Sequence, residues 1–451
     1  MPDPPTPPTI RCYDAYIDSG TEWLGEVPAH WQITRIKGVF RAFGSGSTPI
    51  SSEPAYYDGG TIPWLNTADL NNGVVYDTRR RVTPKAVAET SLRMYPKGTL
   101  AIAMYGQGET RGNVGLMAIE STANQASLMM HRSFNSVPRF MLWWFVARKY
   151  SIRQINIGAT QPNMNQDFVR NLVICLPPLP EQQAIADYLD AKTAQIDRKI
   201  GLLTQKAAKY RQLKQSLINE AVTRGLDKSA PMKDSGVEWI GEVPAHWRID
   251  RLKSTITSCV NGVWGDEPNG INDVICIRVA DFDRSRNRIA CDSSFTYRAI
   301  QESQRKTKTI VTGDLLLEKS GGGDKQPVGA VVLFDCEFDA VCSNFVARMR
   351  VHPSEFSKYL CYLHSALYAI RLNVRSIKQN TGIQNLDSTA YLDEVVALPP
   401  YSEQCTIANY LDQVSVHIDK TIVAVNSQIG KLQDLRKSLI NAVVTGKLRV
   451  T

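Results

Sequence analysis

Within Gly313 to Ser320 (GDLLLEKS) stand Asp314, Glu318 and Lys319, the residue types with which a metal-dependent nuclease holds its ion and polarises a phosphate. The segment lacks the usual Glu-x-Lys spacing, so the sequence predicts no cleavage centre there. An amino-methyltransferase needs a cofactor-binding glycine loop after a strand, and an Asn or Asp ahead of Pro-Pro to accept the amino hydrogens of a flipped base. Leu176-Pro177-Pro178 and Leu398-Pro399-Pro400 begin with leucine, which accepts nothing, and these prolines read as the end of a strand before a helix. The glycine runs at Gly44 to Thr48 and Ser320 to Asp324 lack the Gly-Lys-Ser/Thr of a phosphate loop. His30 and His246 lie in a Trp-flanked segment that occurs twice, and read as framework. The sequence therefore predicts a chain without a catalytic centre, metal site or cofactor of its own.

Composition sets the class. A chain of 451 residues with 43% hydrophobic content can build two or three cored domains, and a formal net charge of +8 favours an acidic partner such as nucleic acid. Nine cysteines without a Cys-x-x-Cys pair read as reduced thiols in a cytoplasmic protein. The proline-rich start (MPDPPTPP) resembles neither a signal peptide nor an anchor. The most apolar stretch, Phe140 to Val146, is too short to span a bilayer and is expected in a core.

The elements that organise the chain are repeated. Asp18 to Lys37 (DSGTEWLGEVPAHWQITRIK) returns at Asp234 to Lys253 (DSGVEWIGEVPAHWRIDRLK) with 15 of 20 positions identical. LPPLPEQQAIADYLD at Leu176 matches LPPYSEQCTIANYLD at Leu398, so two half-molecules of one design follow each other. Between these marks the halves diverge: Phe43 to Asp69 has no obvious counterpart in Val260 to Asp283. Short β-rich runs such as Gly98 to Tyr105 and Val328 to Phe334, with apolar helical stretches at Arg139 to Tyr150 and Ser354 to Leu372, make each variable region mixed α/β.

After each Glu-Gln pair a heptad runs on. Its d positions are Leu189, Ile196, Leu203, Tyr210 and Leu217 in the first half, and Leu411, Ile418, Val425, Leu432 and Leu439 in the second. Proline before and glycine after bound each run, which predicts helices of about 40 residues, roughly 60 Å long. Small a residues in the first helix facing Ile and Val in the second point to an antiparallel coiled coil.

At this point the chain resembles the specificity subunit of type I restriction-modification enzymes. The marks are WLGEVPAHW and WIGEVPAHW, GSTP at Gly46 to Pro49, IPWLNTADL at Ile62 to Leu70, and the LPPLPEQ and LPPYSEQ helix starts, in this order and spacing. The resemblance implies an α+β fold class: two mixed α/β target recognition domains separated by two long antiparallel coiled-coil helices in a pseudo-twofold repeat. The expected boundaries are a tail at 1–17, recognition domains at 18–178 and 229–400, and conserved helices at 179–228 and 401–451. It further implies double-stranded DNA as ligand, read as a bipartite asymmetric site with an unread spacer. Its implied partners are two modification (adenine methyltransferase) subunits and, for cleavage, restriction-translocase subunits. S-adenosylmethionine, ATP and Mg2+ would then sit on those partners, and no membrane is involved.

Base reading needs bidentate donors and acceptors on projecting loops. In the first domain the candidates are Asn66, Thr67, Asp69, Tyr105, Gln107, Arg111, Gln161 and Asn163. In the second they are Trp264, Arg278, Asp281, Asp283, Lys319, Lys325 and Gln384, with Arg284, Arg286, Arg288, Arg305, Lys306 and Lys308 as phosphate contacts. The competing expectation is a coiled-coil scaffold that binds only proteins, for which salt-dependent DNA binding would be absent.

Overall fold

In the computed structural model, which describes residues 12–22, 24–106, 110–155, 164–290, 294–380 and 382–450, both expected rods are single uninterrupted helices. Four helices organise the fold: α1 (Pro138–Ile155), α2 (Leu179–Arg224), α3 (Ser357–Ala369) and α4 (Tyr401–Val444). The long helices reach 46 and 44 residues, a few more than the heptads alone required. Each stops at a glycine in the left-handed region, Gly225 at φ +70° and Gly446 at φ +71°, where a side chain would be strained. All ten d residues are buried or half-buried while their neighbours on the outer face are exposed, so the 3.5-residue period is a true apolar stripe. No helix among the described residues is long and apolar enough to cross a membrane.

The chain packs as two units, Met1–Leu203 with Ser427–Thr451, and Thr204–Asn426, so each long helix contributes to both. In the first unit, Ile185, Ala186 and Leu189 of α2 share a core with Ile440, Val443 and Val444 of α4, while Asp197 lies 2.9 Å from Arg436. Rising numbers in α2 meet falling numbers in α4, so the helices run antiparallel. In the second unit Ile218, Ala221 and Val222 share a core with Ile407, Ala408 and Leu411, and Lys214 pairs with Asp419 at 2.8 Å, again antiparallel. In both units a basic residue at a heptad a position meets an aspartate of the other helix. A charge there specifies register, because a slipped pairing leaves it half-buried and alone.

The variable regions that differ in sequence carry one topology. The main sheet of the first unit has the order Phe40–Ser45, Ser127–Ser133, Leu100–Ala103, Val114–Met117 and Gly73–Val75. That of the second has the order Ile256–Asn261, Val346–Val351, Leu315–Glu318, Val331–Leu333, Arg288–Ile289 and Phe282–Asp283. In each, the first three pairings are antiparallel and a helix covers one face. The stretch Phe140 to Phe145 is buried on α1, as its apolar run predicts. A smaller three-stranded sheet stands beside each main sheet: Thr122–Ala123, Ile62–Leu65 and Arg81–Val82 in one, Thr296–Ala299, Asp273–Ile277 and Ala340–Cys342 in the other.

The repeated motifs lock domain to rod. Glu181, in the first turn of α2, accepts hydrogen bonds from His30 Nε2 (2.9 Å), Trp31 Nε1 (3.2 Å) and the Tyr13 hydroxyl. Glu403 takes His246 (2.7 Å) and Trp247 (3.2 Å) in the same way. The next residue seats the domain helix: Gln182 Oε1 accepts from Val137 N and its amide donates to Asn135 O and Pro177 O. Gln404 likewise accepts from Phe356 N and donates to Pro399 O and Glu355. Both glutamines are 1% exposed, where an unmade hydrogen bond is costly, which explains why Glu-Gln stands at both helix starts.

Candidate nucleic-acid interface

In each unit a strand of the small sheet ends in a tight turn of one shape. Ile62–Leu65 runs into Asn66 and a 3-10 turn at Thr67–Asp69; Asp273–Ile277 runs into Arg278 and Val279–Asp281. Asn66 has φ −113° and ψ 160°, Arg278 φ −109° and ψ 165°, so two different side chains leave the same backbone slot. The turn is held by its third residue. Asp69 accepts the Asn66 N–H at 2.9 Å, and Asp281, 2% exposed, accepts the Arg278 N–H at 2.7 Å. Asp69 and Asp281 are thus buried caps that fix the turn, and the residue presented is the one before it. Asp283 forms a further turn, accepting from Ser285 N (3.0 Å) and its hydroxyl (2.6 Å).

The loop that crosses this slot is also shared. Asn124 N donates to Leu65 O and Ser343 N to Ile277 O, both at 2.9 Å. Ser47 N reaches Ala123 O, and Val263 N reaches Cys342 O. Glycine is required at the crossing: a Cβ on Gly46 would lie 1.7 Å from Ala123 O, and one on Gly262 2.1 Å from both Cys342 O and Ser343 O. The slot therefore draws Thr48, Asn66, Asn124 and Gln125 together in the first unit, and Trp264, Arg278, Ser343 and Asn344 in the second.

Their chemistry differs. In the first unit the polar groups pair among themselves: Asn124 Nδ2 donates to Asn66 Oδ1 (3.3 Å), Asn66 Nδ2 to Trp64 O (3.1 Å), Ser127 Oγ to Asn124 Oδ1 (2.9 Å), and Thr48 to Gln125. In the second unit a cavity of about 480 Å³ opens, lined by Trp264, Arg278, Glu318, Ser320, Ser343, Phe345 and neighbours. Glu318 is 1% exposed and receives Arg284 at 2.8 Å; burial raises its carboxyl above the ordinary range and the guanidinium opposes that rise.

The remaining candidates are placed as follows. Tyr105 is exposed and Arg111 and Thr67 are half-buried; Gln107, Gln161 and Asn163 lie outside the described residues. Lys325 is exposed on a turn, Lys319 donates to Asn261 Oδ1 at 2.7 Å, and Gln384 is buried with its Oε1 accepting from Val328 N. Of the basic set, Arg284 is bound to Glu318, and Arg288 to Asp335 and Asp412, so their charges are matched inside the unit. Arg286 and Lys306 are exposed beside Asp283 and Glu302, Arg305 lies on the short helix Glu302–Lys308, and Lys308 donates to Gly262 O. The nuclease-like carboxylates are likewise bound: Asp314 holds Arg350 at 2.8 Å.

Sequence reasoning missed Thr48, Asn124, Gln125, Ser343, Asn344 and Phe345. Ala-Asp, at Ala68-Asp69 and again at Ala280-Asp281, is the signal that aligns the two turns.

The model of the type I restriction modification DNA specificity domain matches residues 28–207. Over 95% of both chains, the protein is 25% identical to the MjaIX specificity subunit of a type I restriction enzyme from Methanocaldococcus jannaschii. It is 21% identical to the EcoKI specificity subunit of Escherichia coli K12, over 94% of this chain and 90% of that one. A chain from a structural study of complex assembly and conformational transition in the type I R-M system superposes with a TM-score of 0.69, covering 93% of this chain and 98% of its own at 16% identity, a likeness of fold. With its doubled domain and its two long helices, the chain is similar over nearly its whole length to the specificity subunits of type I restriction enzymes, and residues 28–207 carry their DNA specificity domain.

Proposed function

We propose that this chain is the non-catalytic DNA reader of a type I restriction-modification complex. Each recognition domain, 18–178 and 229–400, reads one half of a bipartite asymmetric target. The two helices set the spacer and offer docking surfaces to two modification subunits, which direct methylation and, with restriction subunits, cleavage. S-adenosylmethionine, ATP and Mg2+ belong to those partners. The observation that carries this reading is the slot occupied by Asn66 in one unit and Arg278 in the other on matching backbone. Asn favours adenine through N6 and N7, and Arg favours guanine through O6 and N7. One backbone with two reading chemistries is what two unlike half-sites require.

The test is binding of the full chain, with its modification subunits, to a duplex carrying the methylated motif of its host. Affinity falls steeply with salt. Arg278→Ala relaxes one base pair of one half-site by about 1–3 kcal/mol, roughly five- to 150-fold, and leaves the other half-site unchanged. Equal loss on every sequence would show a phosphate contact in its place, and no salt-dependent binding at all would support a protein-only scaffold.

A further inference from the structure

We propose that the cavity of the second unit receives a single nucleobase turned out of the duplex; the inference rests on the DNA-reading function above. The two units differ at this slot in a way that points to an occupant. In the first, Thr48, Asn66, Asn124 and Gln125 are hydrogen-bonded among themselves and to the backbone. In the second, the Ser343 hydroxyl is buried, with the residue 1% exposed, and has no partner. The Arg278 Nε–H is also buried without an acceptor, and Asp281 reaches only its Nη2, at 3.5 Å. Arg278 and Ser343 both line the cavity and each carries a buried donor without a partner, a cost that acceptors brought by a ligand would relieve once the side chains turn toward it.

The rest of the lining defines that ligand. Trp264 and Phe345 stand at the cavity with 39% and 47% of their surface exposed, and Ile383 joins them at 52%. Large apolar side chains held this open are stacking surfaces awaiting a flat partner. The indole is braced: the Arg298 guanidinium lies 4.6 Å from the Trp264 ring and is itself tied to Trp264 O, Gly265 O and Glu267. That leaves the other ring face for stacking. Aromatic walls around hydrogen-bond donors are the means by which proteins hold an extruded base. The two donors suit a base with two adjacent acceptors, as guanine has in O6 and N7. A free nucleotide would satisfy the same chemistry, so the experiment separates the two sources.

The full chain is titrated with duplexes carrying its second half-site, in which the partner of each base is replaced in turn to create one mismatch. A mismatch weakens binding where a pair is simply read, but removes the unpairing cost where a base is extruded. At one position the wild-type protein should bind the mismatched duplex about tenfold or more tightly than the matched one. Ser343→Ala and Phe345→Ala, which keep the backbone of the slot, should abolish that gain, as should Trp264→Ala. A flat scan with specific binding intact overturns the proposal, as does a gain that survives all three substitutions. A flat scan accompanied by quenching of Trp264 fluorescence by dGMP alone would assign the cavity to free nucleotide and also overturn it. Failure of the underlying DNA-reading function looks different, since matched half-site and random DNA would then bind alike.

Discussion

Removing Asp419 tests whether the polar layer of the helix pair in the second unit holds register. Asp419 Oδ2 lies 2.8 Å from Lys214 Nζ, and the lysine also donates to Ser285 O at 3.1 Å. The Lys214 side chain is 14% exposed and that of Asp419 32%. Exposed pairs contribute up to about 1 kcal/mol, whereas breaking a fully buried pair costs about 3–5 kcal/mol because a charge is left alone. Asp419→Ala leaves a mostly buried ammonium with one carbonyl partner, so its cost should fall between these limits, near 2 kcal/mol. Lys214→Met leaves a more exposed carboxylate and should cost less than about 1 kcal/mol, and the double variant should recover most of the Asp419→Ala loss. The pair in the first unit provides the contrast. Asp197 is half-exposed, and Arg436 Nε lies 2.9 Å away but off the line of a hydrogen bond, so Asp197→Ala should cost well under 1 kcal/mol. Urea titration of the four variants, followed by circular dichroism, measures all of these. Equal costs for Asp419→Ala and Asp197→Ala, or a double variant no better than Asp419→Ala alone, would refute the reasoning.

Three further perturbations follow from named contacts. His364 is fully buried, with its Nδ1 2.7 Å from the Tyr391 hydroxyl, and burial pulls its pKa down to about 4. An unfolded imidazole takes its proton near pH 6.5, so as pH falls from about 6.5 to 4 the unfolded state binds a proton the folded state refuses. Stability should drop by about 3 kcal/mol through that window, a loss His364→Asn should largely remove in thermal melts across pH. Glu403→Ala orphans the buried Trp247 N–H and should cost about 1–3 kcal/mol, while Glu403→Gln keeps an acceptor and should cost less; denaturant midpoints distinguish them. Deleting one heptad from each long helix, Leu203 to Lys209 and Ala424 to Gly430, keeps the heptad frame and both ion pairs. It removes about 10 Å of rod, so a methylation map should show the spacer changed by about three base pairs with both half-sites intact.

How much was legible depends on whether identity or position carries the feature. The helices were legible because Leu189, Leu411, Ile418 and their partners must be apolar at fixed spacing; the repeated Trp-flanked segments were legible as framework, but not that Glu181 and Glu403 accept their Trp N–H groups. The slot was legible only in part: Asn66 and Arg278 stood among the candidates, but not their equivalence, since the slot's backbone is shared between units while its side chains are the part that varies. Asn66 and Arg278 share torsion angles and no chemistry. The partners of the basic residues were hidden for a related reason: the carboxylates that pair with Arg284 and Arg288, namely Glu318, Asp335 and Asp412, come from distant segments that only the fold brings near.

The central claim, that two unlike heads each read one half of a single target, is tested most directly by mapping methylation across the genome of a host that carries this chain and its modification partner. The map is repeated after residues 40–175 are replaced by the matching domain of a similar specificity subunit. The account predicts that one half of the methylated motif changes while the other half and the spacer stay as they were. A motif altered in both halves, or in neither, would contradict it.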